Sequence, residues 1–141
     1  MIAAISLSAC ATPGERGQRA APGRSIRIRV GDARLTARLD DNAPANDLAA
    51  QLPLTLTFRD HNNVEKTAPL PRELSLEGVP AGHDPVAGDI GYWAPDAQLV
   101  LYYDDAAPYW DGIVRIGEVE GDLSAVRQLP QAARVTIERA G

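Results

Sequence analysis

Gly88 to Asp105, GDIGYWAPDAQLVLYYDD, is the stretch whose reading decides the fold. Ile90, Tyr92 and Ala94 alternate with Asp89, Gly91 and Trp93, and this period of two predicts a strand. Leu99, Leu101 and Tyr103 alternate with Val100 and Tyr102 in a second strand that is apolar on both faces, as a strand covered on both sides must be. Pro95-Asp96 supplies the turn between them, so the pair reads as a hairpin. Six aromatics, Tyr92, Trp93, Tyr102, Tyr103, Tyr109 and Trp110, lie in or just beyond the hairpin, in a chain that is only 5% aromatic. With Tyr92 and Tyr103 on the inner face, Trp93 and Tyr102 project outward together beside the Tyr109-Trp110 loop. That arrangement would make a groove for an extended peptide, a proline ring or a planar small molecule. Tyr92, Trp93, Tyr102, Tyr109 and Trp110 are therefore the candidate ligand contacts, set against plain core packing and loop anchoring.

Upstream, Ile26, Ile28 and Val30 alternate with Arg27 and Arg29, and Leu35, Ala37 and Leu39 with Arg34, Thr36 and Arg38. Gly31-Asp32 turns one strand into the other. Arginines on the wet face of a strand keep it soluble and discourage edge pairing, which explains them better than an anion-binding patch does. Asp41-Asn42 before Pro44 predicts a helix start, and Pro53 ends that helix. A third strand over Leu54, Leu56 and Phe58 turns at Asp60-His61-Asn62-Asn63 into a return over Val64 to Ala68. Pro69 to His83 reads as loop, with Leu70, Leu74 and Leu76 dipping into the core. Downstream, Ile113 to Val119 is a strand whose facing the pattern leaves open. Asp122 then caps a second helix through Leu123, Val126 and Leu129, and Val135 and Ile137 mark a closing strand.

These 141 residues, 45% hydrophobic and 23% charged, suit one globular domain. The net charge of -5 conceals a basic N-terminal part and an acidic body with scattered cations, which argues against nucleic-acid binding. A single cysteine excludes an internal disulfide and any Cys/His zinc cluster. That cysteine, Cys10, follows a short apolar run ending in Leu7-Ser8-Ala9, which resembles the lipobox cut before the lipidated cysteine of bacterial lipoproteins. No basic residue precedes the run, which points to a start codon further upstream. Ala11 to Arg24, with two prolines and three glycines, reads as a flexible linker. The resemblance implies a lipid on Cys10, a membrane partner, and an address on the periplasmic face of an outer membrane. The domain limits are then 1–10 for the signal remnant, 11–24 for the linker and 25–141 for the folded body.

Strands that outnumber helices, with one helix early and one late, suit a closed barrel of about eight strands capped at both ends. The GDIGYWAP and LVLYY runs, preceded by a helix ending in Leu52-Pro53 and a strand-turn-strand, resemble the cyclophilin-like fold family of bacteria and archaea. The resemblance covers Ser25 to Gly141 and implies the barrel of the peptidyl-prolyl isomerases. In those enzymes an arginine on the strand after the first helix stabilises the twisted prolyl amide, with a glutamine, a tryptophan, a histidine and phenylalanines around the proline. Arg59, beside Phe58 in LTLTFRDH, matches the arginine's position. The Phe-His-Arg order is missing and no glutamine follows at a comparable spacing, since Gln51 precedes the strand and Gln98 lies far along the chain. The resemblance therefore favours a non-catalytic domain for a peptide or small ligand, with an altered isomerase as the alternative and Arg59 as its catalytic candidate.

Other chemistries find less support. Ser75 lacks the GxSxG context and a placed histidine. Asp104, Asp105 and Asp111 lack the order of a calcium loop, so neither a metal nor a cofactor is expected. The oligomeric state is not encoded in any of these patterns.

Overall fold

Residues 24–140 are described by a computed structural model of the chain. Cys10, its signal-like run and the linker up to Gly23 lie outside the described residues. In chain order the elements are β1 (Ser25–Val30), β2 (Ala33–Leu39), α1 (Ala43–Gln51), β3 (Leu54–His61), β4 (Glu65–Pro69), β5 (Gly82–His83), β6 (Asp89–Trp93), β7 (Gln98–Tyr102), β8 (Trp110–Asp111), β9 (Ile113–Glu120), α2 (Ser124–Arg127) and β10 (Ala133–Arg139).

Eight strands close a barrel in the order β1, β10, β3, β4, β7, β6, β9, β2, and β2 pairs back onto β1. Closure leaves none of these strands with an unpaired edge. Alternation decides what goes inside: Ile26 and Ile28, Phe58, Ile90, Leu99 and Leu101, and Ile137 are all at most 2% exposed in one continuous core. The intervening arginines of the first hairpin face out and pair across strands. Arg27 and Arg29 both reach Glu138, at 2.9 and 3.2 Å. Their carboxylate partner accounts for them, and such solvent-screened pairs contribute little to stability.

The ends of α1 are written in the sequence. The Asn42 side chain accepts a hydrogen bond from the Ala45 N–H at 3.0 Å, Pro44 occupies the first turn, and the chain leaves the helix at Leu52 before Pro53. Leu48 and Ala45 bury into the core. The second helix is shorter than its sequence pattern suggests, a single turn in which the Asp122 carboxylate accepts from the Ser124 N–H at 2.9 Å. α1 leads into the first residue of β3, whereas the carbonyl of Leu129, just past α2, bonds Lys66 beside the far end of β3. The helices thus lie at opposite barrel ends.

Two further details depart from the sequence reading, and one facing that it left open is decided. Leu70 and Leu74 are buried, but Leu76 is 46% exposed beside the turn at Gly78 rather than in the core. A two-stranded ladder of β5 and β8 pins the loop before β6 to the loop before β9, although two-residue strands leave no periodic signal. The undecided facing of β9 has a physical cause. Ile90 pairs with Gly117 while its neighbour Gly91 pairs with Arg115, so one extra residue bulges there and shifts the alternation. Val114 and Ile116 point inward before the bulge and Val119 after it. Gly117 has no room for more, because a Cβ there would stand 2.5 Å from the Arg38 carbonyl oxygen.

Candidate functional site

Outward-facing positions of β3, β4, β7, β6 and β9 meet in rows across the barrel wall. Arg59 pairs with Thr67, Thr67 with Val100 and Val100 with Gly91. One row away His61 pairs with Glu65 and Glu65 with Tyr102, and on the other side Gln98 pairs with Trp93 and Trp93 with Ile113. Together these rows line a groove of about 690 Å³. Its floor is a second apolar cluster outside the barrel core, made of Val100, Tyr102 and Ile113, with Trp93, Val64 and Ala106 packed against it. One wall is the end of the β3-β4 hairpin and the other is the loop from Asp105 to Trp110.

Gly91 makes that floor flat. A Cβ there would stand 2.9 Å from Ile113 Cδ1 and 3.3 Å from Tyr102 Cε2, so a bare backbone lets both side chains lie across the strand. Trp110, about half exposed, is held at the rim by β8 and by donating its Nε1–H to the Ala106 carbonyl at 3.0 Å. The β5-β8 ladder is itself tied down by charge. Asp89, buried, pairs with His83 Nε2 at 2.8 Å and with Arg115 Nε at 3.0 Å, and Arg115 continues to Asp40 at 2.7 Å.

Behind the hairpin wall lies a polar plug. Tyr103 donates its hydroxyl to Asp60 at 2.6 Å, and buried Lys66 reaches Asp60 at 3.2 Å and the Leu129 carbonyl at 3.1 Å. The Tyr103 ring has Lys66 at 5.5 Å and Arg127 at 4.9 Å from its centre. The Tyr103 hydrogen bond, helped by Lys66 and the Asn63 N–H, holds the Asp60 carboxyl below its ordinary value. Burial and the same bond push the Tyr103 hydroxyl up to about 12. In the groove, burial and the Glu65 carboxylate hold the Tyr102 hydroxyl well above its ordinary value, so it stays protonated.

Of the residues singled out in the sequence, Arg59, Trp93, Tyr102 and Trp110 come together on this groove. Tyr92 does not reach it: the ring is 1% exposed inside the barrel and its hydroxyl accepts the Leu74 N–H at 3.0 Å. Tyr109 does not line it either: it precedes β8 in the loop, and its ring lies against Gly82 instead. Gln98, set aside in the sequence for lying far along the chain from Arg59, shares the outward parity of Val100 and Tyr102 and sits in the groove with Arg59. His61, Glu65, Thr67, Asp96 and Asp105 were likewise unassigned, although extending the alternation of β3 and β4 would have placed the first three. Among the described residues no group of three or more His, Cys, Asp or Glu side chains is placed to hold a metal ion. Asp105 instead accepts the Ala87 N–H at 2.9 Å.

The polar groups facing the groove include a guanidinium, an amide and a protonated phenol, which can hold a carbonyl or a peptide unit. Among the described residues no serine, cysteine or lysine lines it.

Known proteins agree with this architecture. The solution structure of a hypothetical protein from Archaeoglobus fulgidus superposes with a TM-score of 0.60, covering 88% of this chain and 99% of that one at 20% identity, which establishes the shared fold. No curated protein matches this chain. The sequence model of the cyclophilin-like family matches residues 28–138, which span all eight barrel strands, and the chain therefore belongs to the cyclophilin-like family.

Proposed function

We propose that the chain is a binding domain that takes a peptide or small ligand in its outer-face groove without transforming it. The observation that carries this is the convergence of Trp93, Tyr102 and Trp110 with Arg59 and Gln98 around a buried apolar floor. Aromatic faces supply contact area at low entropic cost, and the arginine and glutamine offer directional bonds to an amide. We also propose that Cys10 carries a lipid and tethers the domain, through the linker, to the periplasmic face of a bacterial outer membrane. The Leu7-Ser8-Ala9-Cys10 run and the Pro/Gly-rich segment after it support this. Cys10→Ser is expected to move the protein from the membrane to the soluble fraction of the periplasm. A variant that stays in the membrane fraction would refute the anchor.

The second reading, a peptidyl-prolyl isomerase, draws support from Gln98, because an arginine and a glutamine now share one groove. Against it, the chain's single phenylalanine, Phe58, is wholly buried in the barrel, so no phenylalanine is available to build a proline pocket. The histidine present, His61, is engaged with Glu65 at 3.1 Å.

Both tryptophans of the chain line the groove, so intrinsic fluorescence reports on it directly. Titration with proline-containing peptides is expected to give a saturable change, with no acceleration of prolyl isomerisation above that of Arg59→Ala. Arginine-dependent acceleration would establish the isomerase instead.

A further inference from the structure

We infer that the ligand of this groove is an extended, cationic peptide segment, bearing arginine or lysine on either side of a small apolar centre. This rests on the peptide-binding reading above and names the class of peptide.

Charge on the walls carries it. Four carboxylates, Asp60, Glu65, Asp96 and Asp105, line the groove with one cation, Arg59. Lys66 neutralises Asp60 from behind, and His61 lies beside Glu65. Asp96 and Asp105 meet no cation among the described residues. Asp96 sits in the turn between β6 and β7 and Asp105 in the loop before β8, so separate elements present the two carboxylates around the apolar floor. Each has an aromatic neighbour in sequence or in the groove wall: Trp93 precedes the Asp96 turn, and Trp110 closes the loop that holds Asp105. A carboxylate near an indole face suits an arginine or lysine side chain, whose stem packs on the ring while its charge meets the acid. An anionic ligand would meet a net negative wall and a protein of net charge -5. Between the acidic positions, Arg59 and Gln98 flank Thr67 and Val100 and can bond the carbonyls of the peptide's centre. Arg59 forms no ion pair with another described residue, which leaves its guanidinium available for that task.

Tryptophan fluorescence of the full chain, titrated with three blocked hexapeptides, tests this. All share an Ala-Pro centre, and arginine, glutamine or glutamate occupies the second and fifth positions. The arginine peptide is expected to bind at least about fivefold more tightly than the glutamine peptide at low salt, with the advantage shrinking as salt screens it. In the double variant Asp96→Asn, Asp105→Asn, the ratio of arginine-peptide to glutamine-peptide affinity is expected to fall below about twofold. Both positions are exposed, and asparagine retains the oxygen that accepts the Ala87 N–H. Equal binding of all three peptides, or tighter binding of the glutamate peptide, overturns the cationic preference and leaves the peptide groove standing. A preference that survives the double variant overturns its assignment to these carboxylates. No saturable change with any peptide removes the groove reading as well.

Discussion

Asp60→Ala is expected to lower the unfolding free energy by about 3 kcal/mol, read from the urea midpoint at unchanged slope. The cause is what the carboxylate leaves behind. Lys66 is 5% exposed, and without Asp60 its ammonium keeps only the Leu129 carbonyl while the Tyr103 hydroxyl loses its acceptor. Asp60 itself retains some solvent contact, its side chain being 21% exposed, which puts the loss at the lower end for breaking a buried pair. Asp60→Leu combined with Lys66→Met removes both charges and should recover most of the loss, because the desolvation of an unpaired ammonium disappears. A double variant no more stable than Asp60→Ala would mean that the cost lies elsewhere.

The same pair gives a pH signature. The Tyr103 hydrogen bond first, then Lys66, hold the Asp60 carboxyl below its ordinary value in the folded state. A depressed folded value means that the contribution is complete above the unfolded value of about 4 and is lost as pH falls through the folded one. Wild-type stability should therefore fall more steeply below about pH 4 than that of Asp60→Asn, which keeps an acceptor for Tyr103 but cannot ionise.

Tyr92→Ala should cost about 3–5 kcal/mol, as removal of a buried aromatic ring does. Tyr92→Phe should cost about 1–3 kcal/mol, because the Leu74 N–H then lies buried with no acceptor in its place. Neither is expected to change peptide affinity in the groove when the titration is made on the folded fraction, since the ring lies on the opposite side of β6 from Trp93. Trp93 and Tyr92 are neighbours in sequence with unrelated duties. Loss of affinity in Tyr92→Phe at unchanged stability would restore Tyr92 to the site.

Much of the wall was legible locally. Alternation in β1, β2, β3, β6 and β7 assigned inner and outer faces because a strand's side chains alternate whatever it pairs with. The caps of α1 were equally legible, since Asn42, Pro44 and Pro53 act on their own neighbours. β9 was not, because its bulge appears only when the strand is laid against β6. Lys66 was also opaque: an isolated lysine in a short strand reads as solvated, and only the carboxylate of Asp60 and the ring of Tyr103 make its burial tolerable. Leu76 misled for the opposite reason, since a loop leucine carries no periodicity to say which way it turns.

By itself, the sequence determined the barrel class, the ends of α1, and the outward parity of Arg59, Trp93 and Tyr102, the last two set by interactions within a few residues. Tertiary structure alone decided that Arg59, Gln98 and Trp110 share one groove, that Tyr92 and Tyr109 leave it, and that acids from separate loops surround it. Strand pairing brings Arg59 and Val100, 41 residues apart in sequence, into one row through Thr67. No local pattern encodes which strands become neighbours.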